Sequence, residues 1–114
     1  MPAELRKLTF SEAELRAAMV NFALRNDMRV PAANIDKVDI DDSEDLTVTL
    51  NFTTDDPSAN KNLTFNKEQI LASLILYCRN YSIPLPRVAR KVIAKDGNSL
   101  TMMINLRWPP KKEE

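Results

Sequence analysis

The sequence predicts an α+β domain: an internal αββ duplication, αββαββ in order, folded as a four-stranded antiparallel sheet with two helices packed on one face. Three observations carry this expectation. Two stretches about 55 residues apart share identities, both open on the same helix-start signal, and both close on paired runs of alternating apolar and polar residues.

The identities fall into two groups. Leu8-Thr9-Phe10 recurs as Leu63-Thr64-Phe65, and Ala17 as Ala72, at an offset of 55. Arg25-Asn26 matches Arg79-Asn80, Val38 matches Val92, Asp42 matches Asp96, Leu46-Thr47 matches Leu100-Thr101 and Asn51 matches Asn105, all at an offset of 54. One deleted residue between Ala23 and Arg25 brings most of the two blocks into register. A repeat found this early sets the architecture. It divides the single domain 1–114 into blocks 8–52 and 63–108, a linker 53–62 and a frayed tail 109–114.

Residues 1–7 are polar and read as a loose lead-in, with Leu8-Thr9-Phe10 a short extended entry to the first helix. Ser11 and Glu14 form a capping box, in which each side chain accepts from the other's backbone N–H, and Phe10 with Leu15 has the spacing of a hydrophobic staple. Asn66 and Gln69, with Phe65 and Ile70, repeat the device. The first helix, about 11–27, buries Leu15, Ala18, Met19 and Phe22 at the helical period. The second, about 66–81, has the stripe Ile70, Leu74, Tyr77 and Tyr81 and adds Leu71, Ile75, Leu76 and Cys78. So broad an apolar surface calls for central burial or a contact with another subunit.

Both helices stop before proline, which drives the preceding residue to extended geometry, at Val30-Pro31 and Ile83-Pro84. Strands follow. In 36–41, Val38 and Ile40 face inward; in 90–95, Val92 and Ala94 face inward, leaving Lys91, Ile93 and Lys95 outward. Leu46, Val48, Leu50 and Phe52 alternate with Thr47, Thr49 and Asn51, and Leu100, Met102, Ile104, Leu106 and Trp108 alternate with Thr101, Met103, Asn105 and Arg107. Keeping one face apolar sets Ile40 opposite Leu46 and Ala94 opposite Leu100, so Asp42-Ser43-Glu44 and Asp96-Gly97-Asn98 become three-residue loops. Asp96-Gly97 alone would suggest a two-residue turn.

Composition narrows the function class. There is no histidine, one glycine and one cysteine, Cys78, which lies in an apolar helical run. The commonest general base, a glycine-rich phosphate cradle and a thiolate metal cluster are all missing, so the chain is not expected to be an enzyme or to carry a cofactor or metal. The acidic series Asp36, Asp39, Asp41, Asp42, Glu44 and Asp45 lacks the glycine and terminal glutamate of a calcium loop. No apolar run approaches the ~18 residues of a membrane span, and the location expected is cytoplasmic.

Formal charge is zero, yet residues 1–56 hold 6 Lys/Arg against 12 Asp/Glu and residues 57–114 hold 10 against 4, a split of −6 and +6. Such polarity points to a charged partner. Arg87, Arg90, Lys91, Lys95 and Arg107 are the candidates for an acidic partner or phosphate, and Ile93, Met103, Leu71 and Ile75 for an interface. The reading is a protein-interaction or adaptor domain, self-association included. The alternative is electrostatic nucleic-acid binding by the basic sheet face and strand-entry loop of the second block, though no outward aromatic residue offers a base a stacking platform.

Overall fold

The computed structural model describes residues 2–30, 34–53, 55, 62–87 and 89–107. Element order is β1 (Ala3–Phe10), α1 (Glu12–Arg25), β2 (Asn34–Asp41), β3 (Thr47–Thr53), β4 (Asn62–Phe65), α2 (Lys67–Asn80), β5 (Arg90–Asp96) and β6 (Ser99–Arg107). The strands form two three-stranded antiparallel sheets, β1-β6-β5 and β2-β3-β4, and not one four-stranded sheet.

The correction has one cause. Leu8-Thr9-Phe10 and Leu63-Thr64-Phe65 are the ends of strands, and each strand pairs with the hairpin of the opposite half. β1 adds to the outer side of β6, with Leu8 opposite Met102 and Phe10 opposite Leu100. β4 adds to β3, with Leu63 opposite Leu50 and Phe65 opposite Val48. The expected lead-in is thus a strand from Ala3 onward, and the ends of the expected linker, Thr53 and Asn62, are strand residues. Most of that linker, Pro31, Trp108 and the tail 109–114 lie outside the described residues.

Both helices start as their caps dictate. The Ser11 N–H donates to Glu14 Oε1 at 2.8 Å and the Glu14 N–H to Ser11 Oγ at 3.3 Å. The Asn66 N–H donates to Gln69 Oε1 at 2.9 Å and the Gln69 N–H to Asn66 Oδ1 at 2.8 Å. Glu14 also accepts from the Tyr77 hydroxyl at 3.3 Å, tying α1 to α2. Its backbone bond from Ser11, ahead of the two hydroxyls, holds its carboxyl below the usual range.

Both helices also end alike. Asp27 and Ser82 take left-handed backbone at φ 55° and 56°, and the next N–H reaches back five residues, Met28 to Ala23 O at 2.9 Å and Ile83 to Cys78 O at 2.8 Å. This is a Schellman closure made without glycine. Replacing Ser82 with glycine removes the Cβ conflict of that backbone, and is expected to raise stability by up to ~1 kcal/mol in urea unfolding. Because both ends are 55 residues apart, the match of Arg25-Asn26 with Arg79-Asn80 is one residue out of step with the structure, where the residue is lost after the helix end.

α1 and α2 pack against each other through residues also 55 apart: Leu15 and Ile70, Ala18 and Ser73, Met19 and Leu74, Ala23 and Cys78 are all buried. Small side chains at Ala18 and Ser73 suit close approach of the helices. The Ser73 hydroxyl donates to Ile70 O at 2.7 Å and lies 3.3 Å from Met19 Sδ, so this buried polar group is satisfied. One apolar cluster runs from the helices into both sheets. Leu71 packs against it half-buried, and Ile75 and Leu76 are half-buried too, so the extra apolar surface of α2 is only partly covered.

The hairpins depart from expectation in opposite ways. In the first, Ile40 faces Val48 rather than Leu46, and Asp42 to Leu46 form the loop. Its alternation survives, with a bulge between Ile35 and Lys37 taking up one residue. The second has no bulge. Asp96 pairs with Ser99 across a Gly97-Asn98 turn, Gly97 having φ +61° as the first position of a type II′ turn requires. Every side chain of β5 is therefore on the other face from the one expected: Ile93 is buried opposite Met102, and Ala94 is exposed opposite Thr101.

Candidate functional site

Each sheet turns one face to the core and leaves one open, and the two open faces differ in chemistry. On β2-β3-β4 the outward residues are Lys37, Asp39, Asp41, Thr47, Thr49, Asn51, Asn62 and Thr64. Five of them bond to one another. Asn51 Nδ2 donates to Asp39 Oδ2 at 2.8 Å, Lys37 Nζ meets Asp39 Oδ1 at 3.1 Å, and Thr49 and Thr64 hydroxyls share a bond at 3.0 Å.

The open face of β1-β6-β5 is built differently. Strand register sets Leu5 beside Asn105 and Arg90, Lys7 beside Met103 and Val92, and Arg107 at the end beside Ala3. Met103 and Val92 are half-buried in the middle, while Leu5, Lys7, Arg90, Asn105 and Arg107 are exposed. Thr101 is buried there between Thr9 and Ala94. Among the described residues no carboxylate is within ion-pair distance of Lys7, Arg90 or Arg107, and Asp96 stands at the hairpin end. An apolar centre with a cationic rim results.

The residues singled out from sequence are thereby divided. Arg90, Arg107 and Met103 share the open face; Arg87 is exposed in the turn before β5. Lys91 is on the core side opposite Ile104, where its ammonium donates to Pro86 O at 2.9 Å and Ala89 O at 3.2 Å. Those bonds make it a structural clamp for the α2–β5 connection. Ile93 is 6% exposed and belongs to the core, not to an interface. Ile75 lines a shallow groove of about 220 Å3 with Arg79, Ile83 and Leu85.

Lys95 has a third setting. With Lys67 it borders a groove of about 280 Å3 whose other wall carries Asp42, Glu44 and Asp45 from the first hairpin. Part of the charge split between the chain's halves is thus answered inside the molecule. At the rim of this region the Ser43 N–H, then the Ser43 hydroxyl, holds Asp41 below its ordinary range, with Lys95 adding to the effect.

Sequence reasoning missed Leu5, Lys7 and Val92. A signal existed in the alternation of Lys7 and Thr9 with Leu8 and Phe10, but without its partner strand so short a run is ambiguous. Among the described residues no three Cys, Asp or Glu side chains come together as metal ligands. Burial pushes the Cys78 thiol up, away from the thiolate that nucleophilic chemistry needs. Nor, among the described residues, is any helix long and apolar enough to cross a membrane. In comparisons with known proteins, no family model, no curated protein and no solved structure matches this chain.

Proposed function

We propose that this chain is a non-catalytic, cytosolic protein-interaction domain, one βαββ unit copied and fused, whose docking surface is the open face of β1-β6-β5 and whose partner there is acidic. The contrast between the two open faces carries this reading. One ties Lys37, Asp39, Asn51, Thr49 and Thr64 to one another. The other surrounds the half-buried Val92 and Met103 with Lys7, Arg90 and Arg107, the arrangement of apolar centre and polar rim found in protein interfaces. Rim cations steer an acidic partner into place and make its arrival sensitive to salt. The acidic hairpin, with Asp42, Glu44 and Asp45, offers the complementary sign to a basic surface.

A synthetic peptide alternating glutamate with leucine tests the proposal against a single-stranded oligonucleotide of equal charge. The peptide is expected to bind, and to weaken as salt rises. Reversing two rim charges, Arg90→Glu with Arg107→Glu, is expected to cost about 1–1.4 kcal/mol, a five- to tenfold loss of peptide affinity. Tighter binding of the oligonucleotide with a steep salt slope would select the nucleic-acid reading instead. Equal peptide affinity in the variant would remove this face from the account.

A further inference from the structure

The four sheet edges differ in how strongly they discourage another strand from joining. β2 has its bulge between Ile35 and Lys37 and the charges Lys37, Asp39 and Asp41. β4 is only four residues long, and β5 presents Arg90 and Lys95, both cations. β1 carries charges too, Glu4, Arg6 and Lys7, but they are of both signs and no bulge breaks the strand. It holds an unbroken register with β6 over eight residues, no strand among the described residues pairs with its other side, and its Leu5 is 64% exposed.

We propose that β1 is the contact between two copies of this chain, which pair antiparallel along this edge with Leu5 on the twofold axis. Symmetry and charge together select that register. In a continuous antiparallel sheet directly opposed side chains share a face, and a twofold axis normal to the sheet keeps each residue on the face it had. Only registers centred on a residue are then allowed. Centring on Arg6 sets Arg6 against its own copy, and centring on Lys7 does the same with lysine; directly opposed like charges destabilise a strand pair. Centring on Leu8 engages Phe10, which is already buried as the chain enters α1.

Centring on Leu5 removes every conflict. Leu5 covers Leu5 of the second copy, and Glu4 of each chain faces Arg6 of the other. Arg6 uses one guanidinium nitrogen on Pro84 O at 3.1 Å, which leaves further N–H groups for a carboxylate. Ala3 falls opposite Lys7, leaving that ammonium room to extend over the open face. The two three-stranded sheets become one of six strands, and two cationic faces lie side by side. Pairing over only the five residues Ala3 to Lys7 is expected to cover less than the roughly 1,200 Å2 at which specific, stable interfaces begin, so the dimer is expected to form and dissociate with concentration.

Sedimentation velocity over a concentration series, without added ligand, gives the test. The wild-type mass is expected to double as concentration rises. The Leu5→Lys variant, substituted at an exposed position, should stay monomeric throughout, and Glu4→Arg should weaken dimerisation while Glu4→Arg with Arg6→Glu restores it. Should that double variant fail to fold, Leu5→Cys serves instead, because opposed residues at ~4.5–5.5 Å Cα separation suit a disulfide, and oxidation should yield a covalent dimer. Arg90→Glu with Arg107→Glu leaves this dimer intact, so the fate of the acidic-partner reading is decided separately. A wild type that is monomeric throughout, or a dimer indifferent to Leu5→Lys, would overturn the assignment. So would a monomer whose binding of the glutamate–leucine peptide is lost in Leu5→Lys, which would give the edge to a foreign strand.

Discussion

Replacing Phe65 with alanine is expected to lower the free energy of unfolding by ~3–5 kcal/mol, a large part of the 5–15 kcal/mol typical of a domain. The ring is fully buried and stands edge-on to Phe22 at a centroid distance of 6.3 Å. Its position magnifies the loss. Phe65 closes the four-residue β4 opposite Val48, then precedes the Asn66 cap, so one side chain joins a sheet of the first half to the helix of the second. Urea unfolding should show the midpoint falling with little change in slope, the signature of lost packing in an otherwise two-state transition. Phe10, 3% exposed and T-shaped to Tyr77 at 6.0 Å, has the corresponding place at the end of β1 and is expected to respond similarly. A change below ~1 kcal/mol at Phe65 would mean that β4 is not the joint described, since a ring leaving a fully packed site costs far more.

The legible parts of this fold are those governed by neighbours in sequence. Each capping box spans four residues, the buried stripe of each helix recurs within two turns, and β3 and β6 alternate along their own length. All were readable. β1 and β4 were not, because their partners are β6 and β3, each in the opposite half of the chain. Ala3 to Lys7 mixes both charges with one leucine, and only the row of Met102, Ile104 and Leu106 beside it gives that pattern a strand's geometry. Once the two terminal strands of the blocks are assigned, two sheets follow. The candidate site shared this fate: composition exposed the cations, but the turn at Gly97-Asn98 decided which of them face outward together.

That turn has a measurable consequence in two adjacent residues. Ile93→Asp is expected to destabilise the protein by ~3–5 kcal/mol, as an uncompensated buried charge does, whereas Val92→Asp should change stability by no more than ~1 kcal/mol. Ile93 is 6% exposed opposite the fully buried Met102. Aspartate is too short to lead its charge out along the edge as Lys91 does, and in the groove beside Ile93 the two cations, Lys67 and Lys95, already face Asp42, Glu44 and Asp45. Val92, opposite Met103, is half-exposed on the face that carries Lys7, Arg90 and Arg107, where a carboxylate finds opposite charges. The three-residue loop that alternation alone suggests would invert this order, since it buries Val92 and Ala94 and exposes Ile93. Comparing the unfolding midpoints of the two variants therefore reads the register of β5 directly. It also decides whether Val92 and Met103 can stand together at the centre of a docking face, because a slip of one residue moves Val92 into the core.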